Sequence, residues 1–501
     1  MRKITAILLA ALMLLSISSA FAAEAAPQTA KYVFFFIGDG MSNAQTTAAQ
    51  YFLGTQENAE SKTPVQAPLS FTAFPVAGQM FTYDATSFAP DSASTASAMS
   101  TGNRILSGSI NVGYKQGEKG LEPDAQNTYK IITEYAKEAG MKVGVVTSVS
   151  LDHATPAAYY AKAPKRSAYY DIAVQGLTSD VVDFLGGGGF LQPTGSDKAQ
   201  KDLLEIAKEN GFTLYNTNEA VRAIGAEEGR VLAISPELRD GQAMEYEIDR
   251  LAEGGGNLSL AEMTAAGIRA LEGNEKGFFM MVEGGKIDWA GHANDVGAVI
   301  YDVFALADAV EEAVAFAQKH PEETLIVVTG DHETGGMTIG YAATGYDVHM
   351  DYLQNQKTSY VAFDKVVDQL AESKATFDDV MAAIQDNYGL TREEGSKLSL
   401  SAQEIARLSA AYTFGMLPSD QRKGVTGPEE QMHYGGYNPL SVTASHILAN
   451  KAGIDFSSYS HTGVSLPVYA QGAGAELFGG NYENTEIFTK MMEAMGLSAD
   501  K

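Results

Sequence analysis

Eight histidines are spread over 501 residues, and some stand at spacings that bring a carboxylate with them. Asp331 and His332 are adjacent. Asp288 and His292 are four apart, so one helical turn would aim both side chains at a single point. Asp39 sits between Gly38 and Gly40 just after an apolar run. Carboxylates with neutral imidazoles are the ligand chemistry of Zn²⁺. Taken singly, each pair is more often a capping Asp or a satisfied His. Together, each close to the end of an apolar run, they describe one converging metal site.

A second constellation is Asp91-Ser92-Ala93-Ser94-Thr95-Ala96-Ser97-Ala98. Helix N-capping by Asp91 or Ser92 is its ordinary reading. The same geometry has chemical use, because free N–H groups and the helix dipole favour an alkoxide or a bound phosphoryl group. The small side chains let metals and substrate approach closely. A serine hydroxyl still needs a base or a metal to become a nucleophile. No Gly-x-Ser-x-Gly elbow is present, so activation by a metal is the better account.

These residues must be positioned by a scaffold, and the scaffold is legible. Short β-rich apolar runs at 32–37, 143–149, 278–282 and 324–328 each end in small or polar residues. Helical patterns at 128–139, 201–210, 260–271 and 298–318 lie between them. Alternation of this kind predicts an α/β fold with a large, mostly parallel central sheet and helices on both faces. Ligands of such sheets bind beyond the carboxyl ends of the strands, where these acids, histidines and threonines fall. Residues 341–440 differ. They carry helical patterns at 363–372, 377–387 and 402–412 without strong strand runs, and are expected to form an insertion or lid. A helix at 441–452, a strand at 464–469 and a helix at 483–495 return the chain to a catalytic domain made of 31–340 and 441–501. The glycine run 186–189 reads as a tight turn after a strand at 181–185, because it lacks the setting of a phosphate loop.

Residues 1–22 read as a signal peptide, with Arg2 and Lys3 before a short apolar run and Ala20-Phe21-Ala22 as the cleavage site. Residues 23–30 read as a linker. The expectation is an exported protein, periplasmic or extracellular, without a stable membrane anchor. No cysteine occurs, which excludes disulfides, thiolate metal sites and a cysteine-linked lipid. The formal net charge of −27, with no basic cluster to offset it, makes nucleic acid and anionic membranes poor partners.

The motifs in order resemble the alkaline phosphatase family, from about residue 31 to 480. They are Ile37-Gly38-Asp39-Gly40-Met41, Asp91-Ser92-Ala93, His153-Ala154-Thr155-Pro156, Val282-Glu283-Gly284 with Ile287-Asp288 and His292, Thr329-Gly330-Asp331-His332, and His461-Thr462-Gly463. The resemblance implies two Zn²⁺, one on Asp288, His292 and His461, the other on Asp39, Asp331 and His332 beside Ser92. It implies a third ion, usually Mg²⁺, on Asp39, Thr155 and Glu283. Arg166 falls where the family keeps a phosphate-clamping arginine, whose planar guanidinium binds two oxygens at once. Three divalent ions and Arg166 bring roughly +7 against roughly −5 from Asp39, Asp91, Glu283, Asp288 and Asp331, so the pocket suits a phosphate dianion.

The implied reaction is hydrolysis of small-molecule phosphate monoesters to an alcohol and phosphate through phosphorylated Ser92, in a homodimer. Two departures from the best-known bacterial pattern bear on the third ion: His153 replaces an acid, and Trp289 replaces a lysine. A neutral imidazole lowers the negative charge that attracts Mg²⁺ and opens the site to Co²⁺. Trp289, the single tryptophan, is expected as a pocket wall. Rival readings are a phosphodiesterase or mutase of the same superfamily, a sulfatase, and an exported phosphate- or metal-binding module. Thr155, Glu283 and Arg166 disfavour the first, the absence of a modified-residue motif the second, and Ser92 the third.

Overall fold

Residues Tyr32–Gly38 form an uninterrupted apolar strand with every residue buried. Alternation sends Phe34 and Phe36 into one core and Val33, Phe35 and Ile37 into another, so this strand is covered on both faces. The computed structural model describes residues 29–499 apart from 227–228, 418–420 and 422–426. The expected signal peptide and most of the linker lie outside the described residues.

Among the described residues the main sheet has ten strands. Their order is Gly480–Glu483, Val76–Phe81, Leu466–Gly472, Thr324–Gly330, Tyr32–Gly38, Phe278–Gly284, Lys142–Thr147, Phe184–Gly187, Arg230–Ile234 and Phe212–Tyr215. Leu466–Gly472 runs against both neighbours, and the other pairings are parallel. The fold is therefore the large, mostly parallel α/β sheet expected.

Register brings the chemistry to one level. Ile37 lies opposite both Thr329 and Glu283, and Glu283 lies opposite Thr147. Gly38 pairs with Gly284 and Gly330 in the next row. Asp39 and Asp331 follow that row at once, so the two acids leave the sheet level with each other, two positions beyond the row of Glu283.

Three local expectations shift. The helix expected at 128–139 is Ile132–Glu138, because the chain up to Thr128 is the second arm of a hairpin, Val112–Gly117 with Gly120–Thr128. The glycine run is not wholly a turn: pairing with Arg230–Ile234 carries the strand through Gly186 and Gly187. The returning strand is Leu466–Gly472, displaced toward the C-terminus.

Within 341–440 the described elements are the 3₁₀ turn Met350–Asn355 and the helices Tyr360–Glu372, Phe377–Tyr388, Ala402–Gly415 and Pro428–Tyr434. Their apolar faces are continuous with one sheet-face core through Phe363, Val367, Val380, Ile384 and Tyr388. Two carboxylates fasten the block to the rest of the chain. Asp295 accepts from Tyr360 N–H at 2.7 Å and from the Gln356 amide at 2.5 Å. Asp249 accepts from Ser359 N–H at 2.8 Å and its hydroxyl at 2.6 Å. The helix Pro439–Ala452 then leads back to the sheet.

Candidate active site

Ser92 is the first residue of the helix Ser92–Thr101, in which all positions are buried. Asp91 caps that helix by accepting from Ser94 N–H at 3.0 Å. Apart from Met99 the helix carries only alanine, serine and threonine, so it seats directly against the strand ends. Its N-terminus points Ser92 Oγ at His332 Nε2, 3.1 Å away, and at Asp39 Oδ1, 3.4 Å away.

His332 Nε2 lies 3.3 Å from Asp39 Oδ1 and 3.5 Å from Asp331 Oδ2. Around an ion with bonds of about 2.0–2.1 Å, tetrahedral ligand atoms stand roughly 3.3 Å apart. These three atoms and the Ser92 hydroxyl therefore fit as four corners of one site. The second set has the same dimensions. His292 Nε2 is 3.1 Å from His461 Nε2 and 3.4 Å from Asp288 Oδ1, and His461 Nε2 is 3.5 Å from that same oxygen. The helix Lys286–His292 supplies Asp288 and His292 one turn apart, and the short strand His461–Thr462 supplies His461. The sets abut, since the His332 and His461 rings stack at 3.6 Å. Gly40 is the hinge that permits this closeness. Its φ is +72°, and a Cβ there would come within 2.8 Å of the Asp288 Cα.

A third group contains Asp39, His153 and Glu283, whose ligand atoms lie within 4.8 Å of one another. Thr155 Oγ1 is 3.4 Å from Asp39 Oδ2. Thr147 holds Glu283 Oε2, while Oε1 is buried without a hydrogen-bond partner. His153 Nδ1 is likewise buried and unpartnered, and its Nε2 lies 3.4 Å from Arg166 Nη2. An acceptor and a lone pair left bare in the interior are what a cation would satisfy. Arg166 Nη1 bonds Asp91 Oδ2 at 3.0 Å, which ties the guanidinium to the residue just before Ser92.

Charge in the site is unbalanced without a cation. Burial raises Asp39 well above its ordinary value, and neighbouring Asp331, Asp288 and Glu283 push it further. Burial lifts Asp331 and Glu283 to about 7 each. Burial acts the same way on Asp288, but His292, His461 and His332 outweigh it and hold that carboxyl low. Burial, then the Arg166 charge, lowers His153 to about 3, so its imidazole is neutral and free to ligate.

Every residue singled out from the sequence is thus gathered here: Asp39, Asp91, Ser92, His153, Thr155, Arg166, Glu283, Asp288, Trp289, His292, Asp331, His332 and His461. Trp289 is half-buried, edge-on to His153 at 5.7 Å between ring centres. Sequence reasoning missed the groups that orient the imidazoles. His292 Nδ1 faces the Tyr459 carbonyl at 2.6 Å and His461 Nδ1 the Pro90 carbonyl at 2.5 Å, which leaves Nε2 as the lone-pair nitrogen in each. Backbone acceptors leave no trace in residue types. Thr334 was findable, two positions past His332. Its hydroxyl donates to Asp288 Oδ1 at 2.5 Å and lies 3.3 Å from His332 Nδ1.

Comparison with known proteins points the same way. The family model described as alkaline phosphatase matches residues 30–497. The chain is 29% identical over 476 residues to alkaline phosphatase 3 of Bacillus subtilis (strain 168), covering 93% of this chain and 89% of that one. The Thermus thermophilus alkaline phosphatase structure aligns with a TM-score of 0.75 at 27% identity, over 94% of this chain and 93% of that one. The cold-active alkaline phosphatase of Shewanella sp. aligns with a TM-score of 0.73 at 27% identity, over 93% and 99%. Alkaline phosphatase from the Antarctic bacterium TAB5, in a histidine-to-glutamate mutant with Mg bound at one of its metal sites, aligns with a TM-score of 0.61 at 26% identity, over 95% and 100%.

Proposed function

This chain belongs to the alkaline phosphatase family of phosphoric monoester hydrolases, and from that premise we propose that it cleaves small-molecule phosphate monoesters by way of phosphorylated Ser92. The observation that carries the reading is the place of the Ser92 hydroxyl, at the corner of the Asp39–Asp331–His332 set and at a helix N-terminus.

The Ser92 hydroxyl gives up its proton to solvent as Oγ attacks phosphorus, the P–O bond to the alcohol breaks, the departing alkoxide takes a proton from water, and a phosphoserine forms. Water then attacks the phosphoserine, its P–O bond to Ser92 breaks, and phosphate leaves with the hydroxyl restored. Arg166, anchored by Asp91, holds two phosphoryl oxygens as charge builds on them. Asp39, Asp331 and His332 would hold one Zn²⁺ beside Ser92, and Asp288, His292 and His461 the other on the leaving-group side. When bound, the ions supply Lewis-acid stabilisation and lower the pKa of nearby hydroxyl groups. Asp39, Thr155 and Glu283 would hold the third ion, with His153 facing it.

Brief incubation with labelled phosphate at acidic pH, then quenching, tests the assignment. The label is expected on the peptide containing Ser92, and Ser92→Ala is expected to lose about a thousandfold or more in turnover of nitrophenyl phosphate. Label on a histidine, or none with full turnover, overturns the reading.

The third ion carries its own test. Imidazole suits Co²⁺ or Zn²⁺ better than Mg²⁺, so purified enzyme should need added Mg²⁺ or respond to Co²⁺. His153→Asp should then retain Mg²⁺ more tightly, in keeping with Mg bound in the TAB5 mutant. Full activity with stoichiometric Mg²⁺ in the parent, unchanged by the substitution, would refute this.

An exported location and a homodimer belong to the same reading. Cell fractionation and light scattering test them. Among the described residues no helix is long and apolar enough to cross a membrane.

A further inference from the structure

Lys286 is a fully buried lysine two residues ahead of the ligand Asp288. Its Nζ donates to Asp240 Oδ1 at 2.8 Å. The ammonium also lies over two aromatic faces, 3.7 Å from the centre of the Tyr246 ring and 4.7 Å from that of Trp289. The charges of Asp302 and Asp249 act on it as well as that of Asp240, and the two π faces add to them. Replacing the lysine alone would leave those acids without their cation, so part of its role is charge balance. Beyond that balance, the two ring contacts give the lysine a part in orientation.

The indole is held at set points. Lys286 Nζ lies over the ring. On the outer side the turn Asp240–Gln242 presses on it, so that a Cβ on Gly241 would come within 2.8 Å of indole Cη2. The indole then meets His153 at an interplanar angle of 72°. His153 has no hydrogen bond at Nδ1, and its Nε2 stands 3.4 Å from Arg166 Nη2. Among the described contacts, the Trp289 edge and the Arg166 guanidinium are what set the His153 ring.

We infer that Lys286 is a positioning residue for the phosphate-binding side of the site: clamped to Asp240, it fixes the plane of Trp289, which sets His153 and through it Arg166. The inference rests on the reading of Arg166 as the phosphate clamp. Its reach runs from a partly exposed carboxylate, Asp240, to the guanidinium beside Ser92. Loss of the clamp should leave the ligands in place and loosen the grip on phosphate.

The protein carries a single tryptophan, so emission excited selectively at tryptophan comes from Trp289 alone. In metal-loaded enzyme, Lys286→Met is expected to shift the Trp289 emission and raise its quenching by acrylamide. Inorganic phosphate should inhibit about threefold to tenfold more weakly, the scale of one desolvated cation–π contact. With Trp289→Leu already in place, adding Lys286→Met should change phosphate inhibition by less than about twofold, since coupled residues lose their effect together. Asp240→Asn, made from the surface side, should reproduce the emission change in milder form and decides the matter if Lys286→Met does not fold. Unchanged emission and unchanged phosphate inhibition overturn the inference. So does an equal loss of phosphate affinity with and without Trp289. Parent enzyme that binds no phosphate refutes the Arg166 reading instead, and the emission data then decide the Lys286–Trp289 link by themselves.

Discussion

The two halves of the candidate metal cluster present the same donor types and are built by different means. Asp39, Asp331 and His332 have wholly buried side chains and follow directly from central strands whose ends are level. Asp288, His292 and His461 have side-chain exposures of 6%, 27% and 14%, and come from a short helix and a two-residue strand. Their imidazoles hang from backbone carbonyls of loops. Under the proposed reaction, precision is thus invested where the Ser92 hydroxyl must be aimed, and access is left where the alcohol would depart. A sheet supplies the first because its register is fixed by ladders on both sides, and loops supply the second because they lie at the surface.

The largest expected effect separates the halves directly. Asp331→Asn should lose about a thousandfold or more in kcat/KM, with no recovery on adding Zn²⁺, because it removes a ligand from the rigid half and unbalances Asp39. His292→Gln should lose about ten- to a hundredfold at trace Zn²⁺ and recover much of it at saturation. Zinc titration of both variants decides this, and equal, unrecoverable losses would abolish the distinction.

An intermediate effect comes from the residue that touches both halves. Thr334→Val removes the hydroxyl that donates to Asp288 and faces His332. Metal retention against a chelator should weaken about tenfold, and release from the two sites should become more nearly simultaneous. Stopped-flow release with a chromophoric chelator measures it. Unchanged release would show that the halves are independent.

The smallest effect tests how the helical block is fastened near the open half. Burial raises Asp295 to about 6 from an ordinary value of 3.8. A raised acid contributes stability that is fully present below the unfolded pKa and is lost as pH rises to the folded one. Parent stability relative to Asp295→Asn should therefore decline between about pH 4 and pH 6 and stay flat above. The shift in Tm difference should be roughly 2 °C or more. Thermal melts across that range decide it, and a flat difference would mean that Asp295 ionises freely.

The rigid half was also the legible half. Central strands are buried on both faces, so 32–37, 278–282 and 324–328 stood out as apolar runs, and the acids ending them stood out with them. Peripheral strands such as Val76–Phe81 and Gly480–Glu483 are partly exposed and mixed in composition, so nothing in their periodicity marked them. The pairing of Asp288 with His292 followed from helical spacing. That His461 joins them came only through the resemblance, since 169 residues separate it from His292. Lys286 and Trp289 are three apart on one short helix, a spacing visible in the sequence. Its meaning depended on Asp240 and Gly241, which only the folded chain brings near.

The level strand ends also set a clock on assembly. Ligands begin at Asp39 and finish at His461, and the row that gathers them pairs Tyr32–Gly38 with Phe278–Gly284 and Thr324–Gly330, strands hundreds of residues away. Contacts of that separation form late, after most loop-closure entropy has been lost. A partly made or partly folded chain thus possesses carboxylates and imidazoles but no place where they meet. Under the proposed reaction, catalytic competence therefore depends on these long-range pairings being made.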